Sequence, residues 1–427
     1  MRKRSGVLLL LVLLAVITFL DRLCIAVAGT RIQDDLGISP ERWGWILGAF
    51  VLSYGIFEIP TGAHGDRFGQ RRVLTLVVVW WSAFTALTGA AHNFWQLILT
   101  RFLFGAGEAG AYPNASGVIA RWFPKSERAR AQGFIWAASR AGGAISPIVV
   151  LPMMAAIGWR RTFWVFGGIG LLWAVVWHRW FHDRCEEQPG IREEEVAEIR
   201  ASAASSDGHA AVPWRRILTS RQIWIICTMY WCYAWGSWFY FSWFPTYLVR
   251  GVGFSVAEMG VFSSFPFVLG VLGNVTGGFA SDRLVNRYGL RIGRKLLACP
   301  TLVLSSLLLL GMSMSRNRHV IVVLSTLGFG IMDLMLPAAW AVCLDVGRQY
   351  AGVVTGIMNT SGQLSGFVCT ILFGYIVTAT HSYNAPLWII STMVLASAGL
   401  FAMIDPTQPL VAEHEQRAAE SVITDRD

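Results

Sequence analysis

The chain has 427 residues, of which 54% are hydrophobic and only 14% charged, with a net charge of +9. Soluble domains carry about 45–50% apolar and about 25% charged residues, so a chain this poor in charge could not cover its surface in water, whereas lipid-facing side chains should be apolar. The basic excess sits in short clusters between apolar runs rather than along one amphipathic face, which argues against a nucleic-acid partner and for a lipid bilayer.

Apolar runs of spanning length come in two groups of six. The first group falls at 6–29, 43–63, 73–91, 95–120, 134–157 and 162–181. The second falls at 222–248, 259–280, 296–314, 320–344, 352–378 and 386–404. The first run follows Met1-Arg2-Lys3-Arg4, lacks a small-residue cleavage site after a short core, and is long enough to span. It reads as the first membrane helix, with its basic start in the cytoplasm. Between the groups lies a polar linker at 182–221, expected to carry a short acidic helix around 192–200, with a polar stretch at 201–207. A polar tail runs from 405 to 427. With both ends in the cytoplasm, about 25 of the Lys and Arg fall on the cytoplasmic side, about 7 outside and about 3 within helices. The outside exceptions include Arg160, Arg161, Arg316 and Arg318.

The fold class expected is therefore an all-α membrane protein of twelve transmembrane helices in two six-helix halves, 1–181 and 222–404. Six of the seven cysteines (Cys24, Cys227, Cys232, Cys299, Cys343 and Cys369) lie in apolar runs with no metal-ligand or redox spacing, and read as packing residues. No cofactor, metal or enzyme chemistry is expected, since neither a nucleophile–base pair nor a metal cluster appears.

An internal repeat supports the two halves. Gly62-x-x-x-Asp66-Arg67, followed by Arg71 and Arg72, stands between the second and third runs. Gly278-x-x-x-Asp282-Arg283, followed by Arg291, Arg294 and Lys295, stands between the eighth and ninth. Asp66, Arg67, Asp282 and Arg283 are gating candidates, whose charges can pair across helix ends when the inner side is closed.

Ionisable residues inside the runs are the sharpest functional signal. Asp21, Arg22, Glu58, Arg101, Glu108, Arg140 and Asp333 each cost about 2.5–3.5 kcal/mol at a helix centre, so they imply partners or a wet cavity. At a rise of about 1.5 Å per residue, Arg22 and Arg101 come to one depth, with Tyr54 slightly deeper and Glu108 two turns beyond Arg101 on the same face. Two guanidinium forks suit a carboxylate, Tyr54 can donate a hydroxyl, and Glu108 and Asp21 are candidate proton carriers, with Glu58 between proton coupling and a structural hydrogen bond. The alternative is plain ion pairing of Asp21 with Arg101 or Arg22 with Glu108. Arg140 reads as a snorkelling structural arginine. Asp333 precedes Pro337, whose freed backbone is one conceivable partner. In the second half, Asn274, Asn359, Gln363, Tyr233 and Trp235 are candidates for substrate hydroxyls, or equally for interhelical hydrogen bonds and packing.

The two Gly-x-x-x-Asp-Arg loops resemble the signature of the major facilitator superfamily. The stretch Arg101 to Ala109, the Arg121-Trp122-Phe123-Pro124 and Glu127-Arg128-Ala129-Arg130 motifs, Asp21-Arg22, Tyr54 and Phe244-Pro245-Thr246-Tyr247-Leu248 resemble its anion:cation symporter family. That family includes bacterial hexonate, hexuronate, glucarate and phthalate transporters, sialin and the vesicular glutamate transporters. Glu58 and the partial Gly-Pro pattern at 140–147 depart from relatives. The resemblance implies import of a small organic anion, expected to be a sugar acid (hexonate, hexuronate or aldarate), with protons, by alternating access in a monomer of the cell (inner) membrane. It assigns the anion to Arg22 and Arg101 and the proton to Asp21 and Glu108, with protonated Glu108 leaving Arg101 free for the carboxylate. Proton-antiport efflux is the alternative.

Overall fold

A computed structural model describes residues 2–203, 214–347 and 350–408. Part of the expected polar linker stretch, the tail beyond 408 and the side chain of Asp66 lie outside the described residues. Among these residues the chain is helical, without strands.

Helix α1 (Lys3–Leu36) stops at Gly37, whose left-handed φ of 62° lets its N–H return to the Gln33 carbonyl; a side chain there would be strained. Helix α2 (Pro40–Phe68) starts on Ser39, whose hydroxyl accepts from the Arg42 N–H at 3.4 Å, with Pro40 in the first turn, where its missing donor is harmless. Next come α3 (Gln70–Gly89), α4 (Phe94–Glu108) and α5 (Ala111–Trp122). The expected run at 95–120 is thus split at Ala109–Gly110. Pro113 explains the break, because it has no N–H for the carbonyl four residues back. The Asn114 amide partly compensates by donating to the Gly110 carbonyl at 2.7 Å.

Segment α6 (Lys125–Trp180) is two helices that meet at Gly158, where φ 81° and ψ 160° break the helical path, as the two runs expected at 134–157 and 162–181 require. The linker holds α7 (Glu193–Ala203), close to the expected acidic helix, and α8 (Trp214–Thr219). Helix α9 (Arg221–Trp238) passes into π turns at Phe239–Trp243 and Tyr247–Gly251 around α10 (Phe244–Thr246). Pro245 removes the donor that the Phe241 carbonyl would need in a regular helix. The chain closes with α11 (Val256–Phe262), α12 (Phe265–Tyr288), α13 (Leu290–Met314), α14 (Arg318–Gly347), α15 (Ala351–Thr380) and α16 (Ala385–Met403). The two repeat loops have one construction. Gly69 (φ 88°) joins α2 to α3, and Gly289 (φ 79°) joins α12 to α13.

Among the described residues, eight helical segments are long and apolar enough to cross a membrane. Large apolar side chains such as Trp95, Leu76 and Leu172 stand exposed, the surface expected of a protein solvated by lipid rather than water.

Helices α1 and α3 pack on α6, and α2 packs on α4; later in the chain, α12 packs on α14, α13 on α14 and α16, and α9 on α15 and α16. The two sets meet mainly along α2–α15 and α6–α12. The α2–α15 seam is drawn tight by Gly44, whose added Cβ would lie 2.7 Å from the Thr370 carbonyl oxygen, and by Gly374 against the Pro40 carbonyl. At the end of α1 near Gly37, Arg250 donates to Gln33 at 3.3 Å and pairs with Asp34, closing that end between α1 and the segment after α10.

Candidate functional site

Two of the expected site residues come together as an ion pair. Arg22 on α1 donates from Nε and Nη2 to one oxygen of Glu108 on α4, at 3.1 and 2.9 Å. The other Glu108 oxygen is buried without a partner. The Arg22 guanidinium lies over the rings of Tyr54, Phe19 and Phe50, 4.8 to 5.3 Å from their centroids. These aromatic faces favour a cation held away from water.

Arg101 is different. It is fully buried, yet Nε, Nη1 and Nη2 all lack hydrogen-bond partners. Its guanidinium lies 4.0 Å from the centre of the Phe104 ring and 5.5 Å from that of Phe50. Phe50 is thus shared by both arginines. Cation–π contact leaves the donor edges of the fork empty, and an unpaired buried guanidinium is costly. Arg22 and Arg101 line a narrow cavity with Phe50, Trp238, Phe241 and Ser242. Three elements from the first part of the chain, α1, α2 and α4, together with the end of α9 and the π turn after it, therefore face one space that holds an unsatisfied cation.

Asp21 does not pair with Arg101. It accepts from the Trp81 indole at 3.2 Å, and its other oxygen is buried without a partner. Both carboxylate oxygens of Glu58, on α2, accept from the Asn359 amide nitrogen, at 2.9 and 3.0 Å, so this pair bridges α2 and α15. Gln363, one turn along from Asn359, packs against Gly55 with its oxygen buried and unpaired. Trp235 is buried with its indole N–H unpaired.

Arg140 corrects the sequence reading, because it does not snorkel. Its Nη2 reaches Asp333 on α14 at 3.1 and 3.3 Å. Asp333 accordingly takes a side-chain cation rather than backbone freed by Pro337 as its partner. The Tyr233 hydroxyl donates to the same carboxylate at 3.1 Å, and Asn274 stands beside it. Tyr233 and Asn274 thus serve a charge cluster rather than the Arg101 cavity. No motif predicted this pairing across 193 positions; the only signal was that both residues are charges within apolar runs.

Among the described side chains, Arg67, Asp282 and Arg283 do not pair with one another across the helix ends. Arg67 is exposed over the Phe68 ring, and Asp282 lies 3.8 Å from Arg294, which also reaches Asp345 at 3.3 Å. Among the described residues Arg283 shows no ion pair.

Apolar spans around a buried, unsatisfied guanidinium define a multi-pass membrane transporter. The sequence matches the Major Facilitator Superfamily over residues 11–370. It is 33% identical to a probable sulfoacetate transporter of Cupriavidus necator, over 95% of this chain and 94% of that one. It is 30% identical to a probable L-galactonate transporter of Escherichia coli over 96% and 90%, and 29% identical to a hexuronate transporter of Bacillus subtilis over 99% of each chain. The fold matches the crystal structure of a bacterial homologue of the human lysosomal transporter Spinster, with a TM-score of 0.76 at 19% identity over 95% of this chain and 97% of that one. The protein belongs to the major facilitator superfamily, among its anion transporters.

Proposed function

We propose that this protein imports an organic anion together with protons by alternating access. The observation that carries the reading is Arg101: a buried guanidinium with no partner, open to a cavity, is a receptor for an anion. In this reading the chain makes twelve spans in two six-helix bundles, 1–181 and 222–404, joined by the linker at 182–221 and followed by the tail at 405–427. Both ends lie in the cytoplasm, and the unit is a monomer. The basic clusters around Arg71, Arg72, Arg291 and Lys295 support that orientation.

The coupling logic departs from the one the sequence suggests. Glu108 holds Arg22, not Arg101. A proton on Glu108 neutralises its carboxylate, leaving the positive charge of Arg22 uncompensated and its fork released, so that two guanidiniums face the anion. Loss of the proton recaptures Arg22 and weakens anion binding. Proton and anion therefore favour one another's binding by the same factor, as linkage requires. Glu58 and Asp21 remain auxiliary proton sites in this scheme.

Kinship with the hexuronate and galactonate transporters supports a sugar acid. A second reading, a compact anion such as a sulfonate-carboxylate, is favoured by one observation. The cavity offers Ser242 as its hydroxyl among mainly aromatic and aliphatic walls, while Asn359 and Tyr233 are engaged elsewhere. Hydroxyls of a polyol buried there without partners would cost binding energy.

Reconstituted protein in liposomes tests the mechanism. An inward proton gradient should drive anion accumulation, and Glu108→Gln should lose that accumulation at least tenfold while keeping counterflow exchange, which needs no net proton movement. Loss of exchange along with accumulation would leave Glu108 without a proton role.

A further inference from the structure

The Arg22–Glu108 pair lies within the first set of helices, on α1 and α4, so a rocking of one bundle against the other leaves it intact. Arg140 and Asp333 are placed differently. One is on α6 and the other on α14, and each sits near the middle of its span, where the two sets meet. Asp333 is fully buried and Arg140 nearly so, a location where an ionised group persists only if it is paired and hydrogen-bonded. The carboxylate fits because Gly270 makes room for it: a Cβ at Gly270 would lie 3.0 Å from an Asp333 oxygen and 2.8 Å from the Phe329 ring.

The seat of Arg140 is aromatic. Its guanidinium lies 5.4 Å from the centre of the Phe241 ring and 5.6 Å from that of Phe329. Phe241 is also a wall of the cavity that holds Arg101. One ring therefore touches both the anion space and the ion pair, and it lies in a π turn, a rare backbone form found frequently at functional sites.

We propose that Arg140 and Asp333 are coupling residues of the transport cycle: an ion pair made between the two bundles in this state and parted when the bundles rock, with Phe241 linking it to the anion cavity. This rests on the two-bundle reading above. Asp333 keeps the Tyr233 hydroxyl when the pair parts, and Arg140, the partly exposed member, moves with its own helix. Bringing an anion against Phe241 shifts the seat of Arg140 and so biases the two-state equilibrium.

The test uses full-length protein with spin labels at positions 92 and 316, both at the Gly37 end, and counterflow of sulfoacetate and of galactarate. Removing one partner leaves an orphaned buried charge, so the informative variant is the neutral double, Arg140→Gln with Asp333→Asn. It should bind the anion within about threefold of the parent, because neither residue lines the cavity. Its exchange rate should fall at least tenfold, and the distribution of label distances should shift. Arg140→Lys keeps the charge but not the fork, and should recover part of the exchange; it serves alone if the double variant does not fold. Exchange at the parent rate with unchanged distances, in the double variant or in Arg140→Lys compared with Arg140→Gln, would reduce the pair to a structural tie and overturn the proposal. Anion affinity falling in step with exchange would overturn it too, by making the pair part of the binding site. If the parent carries neither anion, the transport reading is what fails. The label distances still decide the pair.

Discussion

Arg101 carries a cost that the fold itself does not recover. Its neighbours Phe104 and Phe50 hold the cation by their faces, while its donors point at no acceptor. An unsatisfied buried polar group costs about 1–3 kcal/mol, more when charged. Arg101→Met keeps the volume and removes the charge. It should therefore raise the melting temperature of the ligand-free protein, by roughly 1 °C per kcal/mol recovered, and abolish stabilisation by the anion. A variant that gains stability as it loses function is the signature of a group kept for binding. A fall in melting temperature would show that Arg101 holds the fold together instead. Sequence reasoning found this residue because charge within an apolar run is expensive, and helix rise gave its depth. It could not choose among partners. Arg22 with Glu108 was one of two pairings left open, and the spacing of Arg101 and Glu108 suggested a contact that Arg22 makes instead. Which carboxylate a guanidinium meets depends on helix rotation, and a linear spacing does not encode it.

The same division holds for the elements. The apolar runs were legible because a membrane helix must be long and lipid-compatible, and the repeat loops because Gly-x-x-x-Asp-Arg recurs at 62–67 and 278–283; the positive φ shared by Gly69 and Gly289, which favours glycine, came only with the structure. The interruptions were not read, although their cause is written in the chain: Pro113 and Pro245 each withdraw a backbone donor, which breaks α4 from α5 and opens the π turns around α10. The break at Gly158, by contrast, falls where the sequence leaves a gap between two apolar runs. Helix contact makes a direct prediction. Gly44→Ala puts a methyl 2.7 Å from a backbone oxygen of α15, where no flexible side chain can give way. It should destabilise the protein by about 1–3 kcal/mol, read as a lower melting temperature. Gly356→Ala, on α15 with nothing within 4 Å, should be neutral or slightly stabilising, as glycine is the poorer helix former. Equal effects of the two would show that the α2–α15 seam is loosely packed.

For the whole molecule, the buried polar network divides into three parts. Arg22–Glu108 lies within one set of helices, Glu58–Asn359 and Arg140–Asp333 cross between sets, and Arg101 stands alone facing a cavity. In the proposed mechanism these serve as a pair that a proton opens, ties that break between bundles, and a receptor for the anion. The most direct test of that scheme is the thermal stabilisation of detergent-purified protein by a panel of sulfoacetate, hexonates, hexuronates, aldarates and aromatic carboxylates, run on the parent and on Arg101→Met. A ligand that binds only the folded state raises the melting temperature by mass action. The account predicts that at least one organic anion stabilises the parent, more strongly at lower pH as Glu108 takes its proton, and that the effect vanishes in Arg101→Met. Stabilisation that survives in Arg101→Met, or a parent that answers only to lipophilic cations, would contradict it.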